Sequence, residues 1–193
     1  MKIVGVSGDL TSRSRTKALV EFVVSQAAIG WPHTTDIIDV ANLAPELAFT
    51  LARADAALEL EAVLQKIENA DLLVVGTPIS NGSYTGLLKH LLDLLTVSGS
   101  EGAVAIIVAT DPGDCNSLVL EHSLRPLLSL LGYCAAPTAV FARNDDFVGF
   151  HLAEESVVIR ARRAVREAFR MLGLDPPLTA HRERSLAGAS RWS

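Results

Sequence analysis

The chain has 193 residues, of which 49% are hydrophobic and 20% charged, and 17 Lys and Arg against 22 Asp and Glu leave a net charge of −5. The length predicts one domain, the hydrophobic fraction excludes a mostly disordered chain, and the mild acidity argues against a nucleic-acid-binding surface. Two cysteines are too few for a disulfide framework, and the first apolar run, which Ser7 ends, does not fit a secretion signal. We therefore expect a soluble cytoplasmic protein with a mostly aliphatic core.

Short apolar runs alternate with amphipathic segments along the chain, which predicts strands and helices in turn. The predicted strands are residues 2–6, 35–40, 71–76, 103–109 and 138–142. The predicted helices are residues 15–29, 55–69, 86–95, 116–131 and 154–172. This alternation is typical of an α/β fold in which helices cover both faces of a parallel sheet, and two doubly wound strand orders fit it.

The end of the chain differs in composition from the rest. After Pro176 and Pro177 the sequence is polar and rich in small residues. We expect residues 1–174 to form one domain and residues 175–193 to form a tail, either loosely attached or wrapped around another subunit.

Three polar loops follow predicted strands at the edge where open α/β sheets bind ligands. The first, residues 7–16, combines several hydroxyls with Arg13 and Arg15 at the start of a helix, a pattern that suits a phosphate group. It has neither a Walker motif nor GxGxxG. The alternative is an ordinary helix cap made by Ser12 or Ser14.

The second loop, residues 77–86, is longer than the usual strand-to-helix connection, and its Pro78 and Gly82 favour turns that direct backbone amides toward a flat ligand. The third loop, residues 110–116, either binds the same ligand or is a tight turn that caps the next helix. The five histidines show no metal-ligand spacing, so we expect no metal site.

Three segments and one strand end carry a resemblance to a known family: SGDLTSRSRT (7–16), ADLLVVGTPISNGSYTGLLKHLLDLL (70–95), LEHSLRPLLSLL (120–131) and VFAR (140–143). Over about residues 2–172 the chain resembles the NADPH-dependent FMN reductase family, in particular the flavin reductases that serve alkanesulfonate and methanesulfonate monooxygenases. The resemblance implies a flavodoxin-like three-layer α/β/α sandwich with a five-stranded parallel sheet in the order 2-1-3-4-5.

The resemblance also implies an FMN site built from all three loops. The residues implied at or near the FMN phosphate are Ser7, Thr11, Ser14, Arg15 and Thr16. Those implied at the isoalloxazine ring and the ribityl chain are Pro78, Ile79, Ser80, Asn81, Gly82 and Ser83. Those implied near the ring from the third loop are Thr110, Asp111 and Gly113.

The sequence departs from the family pattern at three places. Ile79-Ser80 stands where relatives usually carry an aromatic residue, and Asp111-Pro112 stands where they commonly carry Gly-Gly. Asp9 replaces a Ser or a Gly. Two of these changes put a carboxylate near the expected flavin.

The implied reaction is hydride transfer from NADPH or NADH to FMN, which requires no acid–base residue of the protein, and the reduced flavin would supply a partner monooxygenase. The alternatives are a quinone or azo reductase with fixed FMN, a flavodoxin-like electron carrier, and a relative that no longer uses flavin. The low aromatic content and mild charge argue against the carrier.

Helices 86–95 and 116–131 are expected to form the interface of a homodimer or homotetramer. The leucines of the second helix spread over more than half of its circumference, which is wider than one sheet-facing stripe needs. In the family, His122 corresponds to a position in a helix bulge at the tetramer interface.

Overall fold

The computed structural model describes residues 1–97, 100, 102–111, 118 and 120–175. Its main sheet contains β1 (Lys2–Ser7), β2 (Thr34–Asp39), β3 (Leu72–Pro78), β4 (Val104–Asp111), β5 (Cys134–Ala135) and β6 (Val140–Arg143). All pairs are parallel, the order is β2-β1-β3-β4-β5, and β6 pairs with β4 farther along the same edge. The flavodoxin-like order 2-1-3-4-5 is therefore confirmed.

Helices cover both faces of this sheet. They are α1 (Arg15–Ala27), α2 (Ala44–Phe49), α3 (Leu58–Glu68), α4 (Gly86–Asp93), a π-helical turn (Leu120–Leu124) continued by α5 (Arg125–Leu130), and α6 (Glu155–Met171). Of the predicted helix 116–131, residues 116, 117 and 119 lie outside the described residues. A small antiparallel hairpin, β7 (Phe147–Val148) and β8 (His151–Leu152), precedes α6.

The core has two layers because side chains along each strand alternate between the two faces. In β3, Leu72 and Val74 pack with α1 and α6, whereas Leu73 and Val75 pack with α3, α4 and α5. Both layers are mostly aliphatic, as the composition predicts.

Helix α1 lies unusually close to the sheet, and this sets the position of the loop that precedes it. A Cβ atom at Gly76 would lie 2.3 Å from Val20 Cγ2, and one at Gly5 would lie 2.7 Å from Val20 Cγ1. Two glycines in adjacent strands thus provide the groove into which Val20 of the helix fits.

The outer edge of the sheet differs from the prediction. Instead of one strand at 138–142, two short strands pair with β4, and Pro137, which has no N–H to donate, lies between them. The Arg125 guanidinium donates to the carbonyl oxygens of Ala135 at 3.2 Å and Ala136 at 2.9 Å. The Glu167 carboxylate accepts from the N–H of Thr138 at 2.8 Å.

The described chain ends at Asp175, whose carbonyl oxygen accepts a hydrogen bond from Trp31 Nε1 at 3.1 Å. The predicted tail lies outside the described residues, apart from Asp175 itself. Within the described part of the chain, no helix combines the length and the apolar character needed to cross a membrane.

Candidate functional site

The carboxyl ends of β1, β3 and β4 lie side by side, and the three predicted loops leave the sheet there. Ser7 of β1 is the register partner of Gly76 in β3, and Pro78 of β3 is the partner of Thr110 in β4. The fold therefore brings the ends of all three loops to one edge, as their positions after predicted strands indicate.

Hydrogen bonds between the loops join them into one rim. The Gly8 N–H donates to the Gly76 carbonyl oxygen at 2.7 Å, and the Thr85 hydroxyl donates to the Gly8 carbonyl oxygen at 2.6 Å. The Ile79 N–H donates to the Thr110 carbonyl oxygen at 2.9 Å. The described ends of the three loops are thus held together.

The first loop ends in a capped helix start. Ser14 is the N-cap of α1, and its Oγ accepts from the Lys17 N–H at 3.1 Å. The earliest N–H groups of a helix have no helical partner and attract anions. The cap proposed from the sequence is therefore present, and it leaves other N–H groups of the first turn directed out of the helix.

The carboxylate of Asp9 accepts hydrogen bonds from two threonines of the first loop. Its Oδ1 accepts from the Thr11 N–H at 3.0 Å and the Thr11 hydroxyl at 2.9 Å, and its Oδ2 accepts from the Thr16 hydroxyl at 3.1 Å. Thr16 Oγ1 also lies 2.7 Å from Thr110 Oγ1. This departure from the family pattern folds the first loop and links it to the third.

Two predicted site residues hold buried polar atoms without a hydrogen-bond partner among the described residues. These atoms are Ser7 Oγ and Arg15 Nε. Leaving a buried polar group unpaired costs about 1–3 kcal/mol, so such groups usually have a partner. Both atoms are in the loop predicted to bind phosphate, where an anionic ligand would satisfy them.

The second loop contains a tight turn. Ser80 and Ser83 exchange backbone hydrogen bonds of 2.8 Å and 3.0 Å, and the two residues between them have positive φ, 50° at Asn81 and 76° at Gly82. Two positive φ angles at an Asn-Gly pair are typical of a type I′ turn. Asn81 and Gly82 are exposed, so this turn projects from the rim and offers its backbone to a ligand.

The third loop is described only in part. Thr110 and Asp111 are buried at the end of β4, while Gly113 and Pro112 lie outside the described residues.

The sequence analysis did not select Thr85 or Gly8, although hydrogen bonds of both residues join the loops. Gly8 has no room for a side chain, because a Cβ there would lie 2.6 Å from Leu88 Cδ2. Thr85 could have been found from the sequence, since a threonine directly before a predicted helix is a typical N-cap.

The hydrogen-bond donors of this site are suited to FMN. Ser7, Arg15 and the first turn of α1 supply unpaired donors for a phosphate, and the second loop supplies exposed backbone for a flat ring. Together, the fold and the rim define a flavodoxin-like α/β protein.

Comparison with known proteins identifies the family. The family model for NADPH-dependent FMN reductase matches residues 1–147. The chain is 37% identical over 172 residues to "FMN reductase (NADPH)" of Pseudomonas aeruginosa, covering 89% of this chain and 92% of the relative. It is 35% identical over 173 residues to "NADH-dependent FMN reductase SfnF" of Pseudomonas fluorescens, covering 90% and 92%. The chain therefore belongs to the NADPH-dependent FMN reductase family.

A solved structure supports the same assignment. The apo form of the NADH:FMN oxidoreductase EMOB superimposes with a TM-score of 0.78 at 31% identity, covering 90% of each chain. The resemblance inferred from the three sequence segments is thus confirmed.

Proposed function

We propose that this protein is an NAD(P)H-dependent FMN reductase, which transfers a hydride from reduced nicotinamide to FMN. The observation that carries the proposal is the pair of unpaired buried atoms, Ser7 Oγ and Arg15 Nε, at the phosphate end of a rim whose family is that of FMN reductases. An anion bound there would remove the cost of both unpaired groups.

The protein's own residues act by binding and orientation. Arg15 and the first turn of α1 would hold the FMN phosphate, and the exposed Asn81–Gly82 turn would contact the ring through backbone groups. FMN, when bound, supplies the hydride-accepting chemistry. Because proximity and orientation then carry the catalysis, no side chain has to donate or accept a proton.

The test is oxidation of NADH and of NADPH by the purified protein, each measured with and without added FMN. We expect oxidation that depends on FMN with at least one of the two nucleotides. Riboflavin and FAD serve as comparison flavins. If FMN stimulates oxidation of neither nucleotide, the proposal is wrong.

The role of FMN can be read from the same preparation. We propose that FMN is a substrate that leaves after reduction, so the purified protein should be colourless and its rate should saturate with added FMN. A yellow protein that retains flavin through gel filtration and reduces a quinone or an azo dye would instead support the fixed-cofactor alternative.

We further propose that the protein is cytoplasmic and that reduced FMN passes to a sulfonate-type monooxygenase. Support comes from the sequence resemblance to flavin reductases of such systems. A coupled assay, in which this protein and NAD(P)H sustain oxygenation by a purified alkanesulfonate monooxygenase, tests the transfer. Failure of coupling while FMN reduction proceeds would exclude this partner class.

A further inference from the structure

A cavity lies next to the first loop and is lined by Ser12, Arg13 and Ser14. It has a volume of about 860 Å³ and runs between one face of α1 and the β7–β8 hairpin. This volume is within the range of about 300–1,000 Å³ that is usual for small-molecule sites. Its described lining includes no residue of the second loop and neither Thr110 nor Asp111, so it does not overlap the described part of the predicted ring site.

The entrance of this cavity combines a flat cation with an aromatic ring. The Arg13 guanidinium carbon lies 4.7 Å from the centroid of the Phe150 ring. Arg13 is exposed and makes no ion pair with any residue that the structure describes, whereas the neighbouring Lys17 is paired with Asp39 at 3.1 Å. A stacked guanidinium with unpaired donors is well suited to phosphate groups and to the face of a purine.

Part of the cavity lining is apolar, next to polar residues that include Lys17, Glu21 and His151. Phe22 of α1 and Leu152 of β8 line it, and Val148 is 72% exposed there. An apolar wall next to a cation suits a ligand with a flat heterocycle at one end and phosphate at the other. A nucleotide has this composition, and a free phosphate does not.

The hairpin that carries Phe150 is held in place before any ligand binds. The Asp146 carbonyl oxygen accepts from the N–H groups of Ala153 at 2.8 Å and Glu154 at 3.1 Å, and Phe147 is buried in the core. Binding to such a preorganised wall requires little additional ordering.

We propose that this cavity binds the adenosine phosphate end of the nicotinamide nucleotide, with Arg13 on a phosphate and Phe150 and the apolar wall beside the adenosine. The inference rests on the proposed function, in which that nucleotide is the reductant. Ser14 caps α1 and also lines the cavity, so the cavity and the flavin site meet at the first loop. A dinucleotide has two separate rings, and the proposal places its adenosine here and its nicotinamide at the flavin.

The direct test is calorimetric titration of the full-length, flavin-free protein with 5′-AMP and with 2′,5′-ADP, which are the adenosine parts of NADH and NADPH. We expect saturable binding that Arg13→Gln and Phe150→Leu each weaken about tenfold or more, the effect of losing one charge-assisted or stacking contact. The matched controls are Arg170→Gln, at the far end of α6, and Phe49→Leu, whose side chain is 88% exposed elsewhere. Both controls should bind like the unmodified protein.

Steady-state kinetics provide an independent readout. Phe150→Leu should raise KM for the reduced nucleotide about tenfold and leave KM for FMN unchanged. The proposal is overturned if neither 5′-AMP nor 2′,5′-ADP binds, if both variants bind the nucleotide like the controls, or if saturating FMN displaces it, because displacement would place it in the flavin site. Arg13-dependent binding in a protein that cannot reduce FMN would support this site and refute the proposed function.

Discussion

Ser7 and Arg15 show how a binding site differs from the rest of a protein interior. Thr16, in the same loop, has Asp9 and Thr110 as partners. Ser7 Oγ and Arg15 Nε have none among the described residues, although both atoms are buried. Such an arrangement costs stability in the free protein, and a bound anion that pairs with both atoms would recover that cost.

Replacing Arg15 with Ala should weaken FMN binding and spare riboflavin, which has no phosphate. We expect the FMN dissociation constant to rise at least about tenfold, because a hydrogen bond to a charged group contributes about 1.5–3 kcal/mol. Equilibrium titration followed by flavin fluorescence measures both constants. Arg170→Ala is the control, and equal losses for both flavins in Arg15→Ala would contradict the phosphate assignment.

Gly76 is required for packing rather than for its backbone conformation. In Gly76→Ala the added Cβ would lie 2.3 Å from Val20 Cγ2 and 2.9 Å from Val108 Cγ2, so α1 or the sheet must shift. We expect a loss of about 1–3 kcal/mol in the free energy of unfolding, measured in urea. Gly86→Ala is the matched control, since nothing lies within 4 Å of its added Cβ. A stable Gly76→Ala would show that the helix has room to move.

At the scale of elements, Arg53 connects segments that are distant in the chain. Its guanidinium donates to the carboxylates of Glu61 and Glu68 on α3 and to the hydroxyl of Thr96 after α4. Burial acts to raise the pKa of Glu68, but hydrogen bonds from Arg53 and Thr96 outweigh it, and the pKa lies below its ordinary value of 4.5. This end of the fold is therefore stabilised by an ionised carboxylate.

The lowered pKa of Glu68 predicts a dependence of stability on pH. The unfolded chain, with a pKa near 4.5, binds the proton more readily than the folded chain, so the contribution of Glu68 is present above 4.5 and is lost as pH falls through the folded value. Glu68→Gln should lower the free energy of unfolding by about 1–3 kcal/mol at pH 7. The free energy of unfolding of this variant should also decrease less between pH 7 and pH 3. Urea unfolding from pH 7 down to pH 3 measures this, and the exposed Glu59→Gln serves as the control. An unchanged acid profile in Glu68→Gln would exclude this role.

The sequence predicts the main elements well because their signal is local. Continuous apolar runs identify β1, β3 and β4, which are buried on both faces, and the polar loops after them identify the rim. The strand predicted at 138–142 is found as β6, but the short β5 before Pro137 was not predicted, because this edge depends on side chains that arrive from α5 and α6. The hydrogen bond between Asp9 and Thr16 could not be predicted either, because Thr16 also contacts Thr110, which is 94 residues away in sequence.

At the scale of the whole molecule, the exposed leucines bear on assembly. Leu124 and Leu128 pack in the core, while Leu118 is 64% and Leu130 is 59% exposed. The leucines of this helical region thus point both into the core and away from it. We propose that the outward ones contact a second copy of the chain, in a homodimer or homotetramer.

Leu130→Glu should dissociate this assembly, because a carboxylate buried in an apolar interface has no partner there. Light scattering at micromolar concentration should show a lower mass than for the unmodified protein. The control is Leu58→Glu on α3, where the leucine side chain is 86% exposed. This variant should have the same mass as the unmodified protein. A monomeric unmodified protein, or dissociation by Leu58→Glu instead, would contradict the proposed interface.

The interrupted outer edge of the sheet has a consequence for aggregation. A free sheet edge presents unpaired N–H and C=O groups to which a strand of another molecule can add. Here Arg125 occupies the carbonyl oxygens of Ala135 and Ala136, Glu167 occupies the N–H of Thr138, and Pro137 has no N–H. An incoming strand finds few free groups along this stretch, so this part of the sheet edge is protected from sheet extension.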